Sequence, residues 1–204
     1  MPNQSVAKRR LSVERPWMKF YPEQFHHLDI PCCSLAEYLK QSIKDFNIPV
    51  IHYYGNQLTW NDIFTKVEVI AKALKRMGCK EGDQIPVFLQ SVPEFILILL
   101  AAEKIGAAVV CRDGLTDENA KAIIQTQSQI IITHDYLSKE EEEAYYRDSN
   151  LKHIIIVSPY NMANKKEMPN YIINNIDSMY PRNLASSVSN LTWDQFEAMG
   201  KEYE

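Results

Sequence analysis

The loops that commonly bind phosphate groups in nucleotide sites are missing from this sequence. Neither a G-x-G-x-x-G segment nor a G-x-x-x-x-G-K-[S/T] segment occurs in its 204 residues. Such loops need glycines because backbone N–H groups must approach the phosphates closely. The chain holds six glycines, and each falls where a turn or a helix end is expected. The sequence therefore predicts no self-sufficient nucleotide site.

Histidines and cysteines near the amino terminus are the first candidates for a metal site. His26 and His27 precede Cys32 and Cys33 by a few residues, and imidazole and thiolate groups are common zinc ligands. Zinc ligands in small sites usually come as spaced pairs, which adjacent residues do not provide. We therefore favour ordinary packing over zinc. The remaining histidines, none with a neighbour at metal-ligand spacing, are His52, His134 and His153.

Nucleophilic catalysis has no clear candidate. No serine lies in a G-x-S-x-G segment, and Cys79 and Cys111 have no evident base beside them. Arg112 and Asp113 follow a predicted strand, at the edge where open α/β sheets place ligands, although a surface ion pair or a turn is the simpler interpretation. Glutamates 140–143 suit a helix amino terminus better than a metal site. We assign no catalytic, cofactor-binding or metal-binding residue.

Composition argues against several classes of protein. The net charge of −4 and the isoelectric point of about 5.8 give no electrostatic reason to expect nucleic acid as a partner. The basic cluster at residues 8–10 is interpreted as a solvated tail. The longest apolar run, residues 95–102, is far shorter than the roughly 20 residues that a membrane-spanning helix needs. Without an apolar signal segment or a C-x-x-C pair, we expect free, buried thiols and a cytoplasmic protein.

The elements that would position a site follow an irregular arm, residues 1–33. The arm contains four large aromatic side chains: Trp17, Phe20, Tyr21 and Phe25. These are too many for a free tail, so we expect the arm to pack along a body. Ser34 and Glu37 form a capping-box pattern. The predicted helix has one apolar face, formed by Leu35, Tyr38, Leu39 and Ile43, and ends at Pro49. A hairpin follows, with its turn at Gly55 and Asn56.

The strongest helical pattern begins at Thr59 and Asp62. Its apolar residues recur at spacings of three and four, which is one buried stripe of a helix, and they are Ile63, Val67, Ile70, Leu74 and Met77. Strands are predicted at 84–89, 107–111, 129–133 and 153–157. Between the first two lies a helix capped by residues 91–94 and ended by Gly106; it is apolar nearly all round, so we expect it beneath other layers. A helix at 116–127 and an acidic helix capped at residues 138–141 follow.

This alternation predicts an α/β fold: an open, doubly wound, mostly parallel sheet with helices on both faces, plus the small hairpin. We divide the chain into the arm at 1–33, an α/β subdomain at 34–158, and an irregular connector with a short helix at 159–204. Within the last segment, a weak helix is expected at about 170–179, and Thr192 with Gln195 caps the final one.

An ordered series of segments resembles the amino-terminal region of the adenylate-forming enzymes, the AMP-dependent synthetases and ligases. The matching stretch is "LTWNDIFTKVEVIAKALKRMGCKEGDQIPVFLQSVPEFILILLAAEKIGAAVV", followed by "LTDENAKAIIQTQSQIIIT". Outside it, "RPWMKFYPEQ", "SLAEYL", "NYIINNIDSMYPRN" and "LTWDQFEAMG" are most similar to fatty-acyl-CoA synthetases. The resemblance implies an amino-terminal fragment of an ATP-dependent, AMP-forming fatty-acid–CoA ligase.

In that family the lysine-bearing phosphate loop and the catalytic lysine come later than the segments matched here, and neither motif occurs in these residues. The resemblance therefore implies ATP, Mg²⁺ and CoA for the full-length parent, no cofactor in this chain, and a fragment inactive alone. Its expected partner is the remainder of that enzyme. Two alternatives stay open: a standalone dimerisation or interaction module, and a small-molecule binding domain of the flavodoxin type. An exposed apolar patch, or a homodimer that covers one, is also expected.

Overall fold

A computed structural model describes residues 10–26, 31–111, 126–134, 150–179 and 190–203. The chain divides into two compact units, Met1–Cys33 and Ser34–Glu204. In the first, helix α1 (Leu11–Glu14) is followed by two 3₁₀ turns, Pro16–Phe20 and Glu23–Phe25. In the second, residues 159–179 and 190–203 belong to the same compact unit as the strands that precede them.

Helix α2 (Leu35–Ser42) begins with the predicted capping box, because Ser34 and Glu37 exchange side-chain and backbone hydrogen bonds. Two expectations for it are wrong. The helix ends at Ser42, well before Pro49. The inward side chains are Ala36 and Leu39, whereas Leu35 and Tyr38 are almost half exposed. The α2 amino terminus is held by a distant carboxylate, that of Glu103, which accepts from the Leu35 and Ala36 amides.

The predicted hairpin is present as antiparallel strands β1 (Pro49–Tyr53) and β2 (Asn56–Thr59). Its turn residues are Tyr54 and Gly55, one position earlier than predicted. Both have positive φ, 41° and 77°, as a tight two-residue turn between right-twisted strands requires. The Tyr53 hydroxyl donates to the Pro159 carbonyl, and the Asn164 amide donates to the Tyr54 carbonyl. The hairpin is thereby tied to the segment that follows the sheet.

Helix α3 (Trp60–Arg76) confirms the strongest pattern of the sequence. Thr59 and Asp62 close its amino terminus with a capping box, and all five residues of the predicted stripe are buried, from 0 to 9% exposed. Its carboxyl end is followed by Gly78 at φ +89°, a conformation that residues with a Cβ rarely adopt. The period of 3.6 residues therefore identified both the element and its inward face.

Five parallel strands form the central sheet: β3 (Gln84–Phe88), β4 (Ala108–Cys111), β5 (Ile130–His134), β6 (His153–Val157) and β7 (Asn190–Thr192). Their order is β4-β3-β5-β6-β7. The isoleucines of β5 and β6 are 0 to 7% exposed, as expected for strands covered on both faces. The α/β class and the parallel sheet flanked by helices are confirmed. The helix predicted at 116–127 lies almost wholly outside the described residues, and so does the acidic helix.

Helix α4 (Pro93–Lys104) joins β3 to β4 and differs from its prediction at two points. Its N-cap is Val92, which makes no side-chain capping bond, so the Ser91–Glu94 cap was wrong. Most of its apolar side chains are buried, but Ile96 and Leu99 are 40% and 36% exposed. The helix was expected to lie beneath other layers all round. These two side chains, three residues apart, leave part of one face accessible.

The last part of the chain contains helix α5 (Asn170–Met179), strand β7 and helix α6 (Trp193–Lys201). Both helices were predicted, and Thr192 with Gln195 forms the expected capping box. Strand β7 was not predicted, yet it extends the sheet by pairing with β6. Helix α6 packs against α3 so closely that a Cβ on Gly200 would overlap the carbonyl oxygen of Val69. Trp193 and Phe196 are buried in the same core.

Candidate functional site

The carboxyl edge of the sheet is the first place to look for a ligand site. The strand order is that of a doubly wound sheet. Strand β4 lies on one side of β3, and the later strands are added on the other side, so the switch point is between β3 and β5. Open α/β sheets bind ligands outside the carboxyl ends of the strands at such a switch point. Here those ends are Phe88 for β3 and His134 for β5. Of these two strand ends, His134 carries the titratable side chain.

His134 is fully buried and both of its ring nitrogens have partners. Nε2 accepts a hydrogen bond of 2.8 Å from the Gln90 backbone N–H. Nδ1 lies 3.1 Å from the Val157 carbonyl oxygen. Because an amide can only donate and a carbonyl can only accept, the ring is the neutral tautomer with its proton on Nδ1. His134 thus ties the ends of β3, β5 and β6 together and has no ring nitrogen left for a metal or a substrate.

A buried acid lies at the start of α4. Glu94 is 1% exposed, and within the described parts of the chain neither carboxylate oxygen has a hydrogen-bond partner. Burial raises the pKa of this carboxyl to about 7, although its own backbone amide and the charge of Lys66 act in the opposite direction. The negative charge of Glu197 raises the pKa further. Sequence inspection missed this burial because an acid in the first turn of a helix normally faces solvent and the helix dipole.

Charged groups beside Glu94 connect two helices. Lys66 on α3 pairs with Glu197 on α6 at 2.9 Å, and Lys201 pairs with the other oxygen of Glu197 at 3.0 Å. Burial opposes ionisation of Glu197, but the hydrogen bonds from both lysines outweigh it, and its pKa lies below the ordinary value. A carboxyl that titrates near neutrality could transfer protons. Glu94 is closed off from solvent, however, so its carboxyl cannot reach a soluble substrate.

The cysteines and the histidines near the amino terminus are the first candidates for a metal site in the sequence. Cys32, Cys33 and Cys111 are exposed and Cys79 is half-buried, so the prediction of buried thiols was wrong; no disulfide joins these four described residues. The His26 ring Nε2 lies 2.9 Å from the Met18 carbonyl oxygen, whereas His27 lies outside the described residues. No cluster of three potential metal ligands occurs within the part of the chain that is described. Arg112, Asp113 and glutamates 140–143 also lie outside it.

Two clefts are lined by described residues. One of about 230 Å³ lies at the amino ends of β3 and β5, opposite the usual ligand edge, and is lined by Cys79 and Asp83 among others. Burial, and after it the charge of Asp83, raises the pKa of the Cys79 thiol to about 12, which leaves it unreactive near neutrality. The other cleft, of about 320 Å³, lies between α2, α3 and α4. Its Lys104 and Glu68 pair at 2.9 Å, and Glu103 already holds the α2 amides.

No helix among the described residues is long and apolar enough to cross a membrane. Within the described residues, the geometry therefore offers a carboxyl edge at which His134 is fully hydrogen-bonded, a buried acid and clefts of modest size. None of them brings a nucleophile, a base and an electrophile together.

Comparison with known proteins provides the family. Residues 40–185 match the family described as AMP-binding enzyme. The chain is 30% identical to a long-chain-fatty-acid–CoA ligase of Bacillus subtilis over 131 residues, which are 62% of this chain and 23% of that protein. It is 40% identical to an acetyl-coenzyme A synthetase of Pyrobaculum aerophilum over 82 residues, 39% of this chain and 12% of that protein.

Solved structures show the same fold at low sequence identity. A coronafacic acid ligase from Pectobacterium brasiliense superposes with a TM-score of 0.61 at 16% identity, covering 84% of this chain and 30% of that one. MatB from Rhodopseudomonas palustris superposes with a TM-score of 0.55 at 16% identity, covering 62% of this chain and 25% of that one. The chain spans less than a quarter of the length of the curated relatives it matches. Because the family match extends over more than half of its residues, this chain belongs to the AMP-binding enzyme family.

Proposed function

We propose that this chain is an amino-terminal part of an ATP-dependent, AMP-forming acyl-CoA ligase of the fatty-acid type, and that it supplies framework rather than reacting groups. The observation that carries the proposal is the family match over residues 40–185, in a chain that covers 23% of a fatty-acid–CoA ligase. Within it we propose a framework subdomain at 34–158 and a connector at 159–204, with 1–33 as a separate arm.

The hydrogen bonds of His134 support the proposal that the chain is inactive by itself. His134 occupies the switch point between β3 and β5 with both ring nitrogens engaged. The sequence also contains no glycine-rich loop with a lysine that could hold phosphates. ATP, Mg²⁺ and CoA are therefore proposed as needs of the longer parent protein, and the described residues do not fit them. No step of the two-step ligation is assigned to a residue of this chain.

The first test measures adenylation by the purified chain. ATP–pyrophosphate exchange is followed with Mg²⁺ and saturated fatty acids of increasing length, because exchange reports acyl-AMP formation without requiring CoA. We expect no rate above the rate without protein. Turnover of ATP that depends on an added fatty acid would show that the chain carries its own active site, and the framework proposal would be wrong.

A chimera tests the assignment to this enzyme class directly. The matched segment of the Bacillus subtilis long-chain-fatty-acid–CoA ligase is replaced by the corresponding residues of this chain, and acyl-CoA formation is assayed. We expect a folded chimera with measurable activity, because the fold is shared even though identity is 30%. The control chimera carries Val67→Asp, which places a charge in the buried stripe of α3 and should abolish folding. A folded chimera without any activity would contradict the assignment.

A standalone interaction module is the second candidate, favoured by apolar side chains left accessible in the second unit. Leu35, Tyr38, Ile96 and Leu99 are 36 to 47% exposed. In the first proposal, the remainder of the parent enzyme covers such groups; in the second, a homodimer does so. Light scattering over a wide range of concentration separates them, since a monomer throughout argues against the module. A cytoplasmic location is part of both proposals and is supported by thiols that form no disulfide.

A further inference from the structure

The amino-terminal arm, residues 10–26, is a series of short hydrogen-bonded turns. Arg15 donates its amide hydrogen to the Leu11 carbonyl, Met18 to that of Arg15, and Tyr21 to that of Met18, all within 3.0 Å. The His26 Nε2 lies 2.9 Å from the Met18 carbonyl oxygen and 3.1 Å from that of Tyr21. Much of the backbone of the arm is thus hydrogen-bonded locally, which is the condition for placing a segment against an apolar medium.

The side chains of the arm are large, apolar and exposed. None of the residues in its three helical turns is buried. Trp17 and Phe20 are three residues apart in the 3₁₀ turn Pro16–Phe20, so they lie on the same side of it. The exposed apolar side chains, between 41 and 79% accessible, are Leu11, Val13, Trp17, Phe20, Tyr21 and Phe25.

The charge of the arm is opposite in sign to that of the whole chain. Residues 1–26 hold five basic side chains and two acidic ones, whereas the complete protein carries a net charge of −4. Arg10, Arg15 and Lys19 are exposed among the apolar groups. The Lys19 ammonium lies 4.8 Å from the centre of the Phe20 ring, so positive charge and aromatic surface occur together. This pattern is typical of segments that lie in the headgroup region of a bilayer.

We propose that the arm binds the surface of an anionic lipid bilayer. Trp and Tyr side chains favour the interface because one end is apolar and the other polar. The basic residues match the negative potential of acidic headgroups. A nucleic acid or an acidic protein would match the charge but would leave the large apolar groups without a partner. The arm also precedes the family match, which begins at residue 40, so the proposal does not depend on the proposed ligase function.

Vesicle co-sedimentation of the complete chain tests the proposal. One set of vesicles is phosphatidylcholine alone, and in the other about a third of the lipid is phosphatidylserine. We expect binding to the anionic vesicles, at least tenfold weaker binding to the neutral ones, and a loss of affinity as NaCl rises from about 0.05 to about 0.5 M.

Two double variants separate the contributions of charge and of apolar surface. Arg15→Gln with Lys19→Gln should weaken binding to anionic vesicles by at least tenfold, because each basic residue at such a surface contributes a factor of about five. Trp17→Ala with Phe20→Ala should weaken it to a similar extent. The matched control is Lys72→Gln with Lys75→Gln, which removes the same charge from the exposed face of α3 and should change binding less than twofold. Circular dichroism checks that every variant remains folded.

Three outcomes would overturn the proposal. One is no binding to anionic vesicles at the lowest salt concentration. Another is equal weakening by the arm variants and by the α3 control. A third is binding to soluble polyglutamate as tight as to vesicles and unchanged in the Trp17→Ala and Phe20→Ala variant, which would identify a purely electrostatic partner. The first outcome, together with a loss of thermal stability in the Trp17→Ala and Phe20→Ala variant, would support packing of the arm along a body instead.

Discussion

Replacing Glu94 by glutamine should make the protein more stable above neutral pH and leave it nearly unchanged in mild acid. The carboxyl is 1% exposed, its oxygens have no hydrogen-bond partner among the described residues, and its pKa is raised from 4.5 to about 7. Ionisation therefore costs more in the folded state than in the unfolded chain. Glutamine keeps the shape of the neutral acid but cannot ionise.

The sign and size of the effect follow from proton linkage. Between pH 4.5 and about 7 the folded state holds the Glu94 proton more tightly than the unfolded chain does. Folding stability therefore falls as the pH rises through this window. At about 1.4 kcal/mol per pH unit, the separation of the two pKa values corresponds to a loss of about 3 kcal/mol above pH 7. Glu94→Gln should recover most of that loss.

Urea unfolding from pH 4.5 to pH 8.5, followed by circular dichroism, measures this prediction. The free energy of unfolding of the variant minus that of the parent should rise from near zero to about 3 kcal/mol. The control is Glu68→Gln, because Glu68 is half exposed in its pair with Lys104. For this control, the free energy of unfolding should differ from that of the parent by less than about 1 kcal/mol at every pH. A difference that does not vary with pH for Glu94→Gln would refute the burial argument. So would a difference that falls with rising pH.

Two further predictions concern packing and thiol chemistry. Gly200→Ala should destabilise the protein by about 2 kcal/mol or more in thermal or urea unfolding, because its Cβ would overlap the backbone of Val69. Gly82→Ala, which has open space but φ +84°, should cost only about 1 kcal/mol, and equal losses would contradict the close α3–α6 contact. The thiols are titrated with a chromogenic disulfide reagent at pH 8. Cys32, Cys33 and Cys111 should react quickly, whereas Cys79 should react slowly until urea unfolds the protein. Rapid reaction of all four thiols in the folded protein would contradict the raised pKa of Cys79.

The sequence predicted elements well wherever one chain segment carries its own signal. The α3 stripe and the isoleucine-rich strands β5 and β6 are identified by residues that are neighbours in sequence. The capping boxes at Ser34, Thr59 and Thr192 are equally local. Strand β7 was missed because its three residues, Asn190–Thr192, carry no apolar pattern and are ordered by pairing with β6.

Features that depend on distant residues were not predicted. The inward face of α2 was predicted correctly at Leu39 but wrongly at Leu35 and Tyr38. The start of that helix is held by the carboxylate of Glu103, 68 positions away from Leu35. Burial of Glu94 is equally invisible in the local sequence, where an acid in a first helical turn is expected to be solvated. The charges that act on it come from Lys66 and from Glu197, which α6 brings back to α3.

At the carboxyl edge of the described strands, both ring nitrogens of His134 are engaged. A ligand that bound through this ring would leave the Gln90 amide or the Val157 carbonyl without its present partner. Each buried group so exposed would cost about 1 to 3 kcal/mol. Under the proposed ligase function, we therefore expect the groups that contact phosphates to come from outside the described residues.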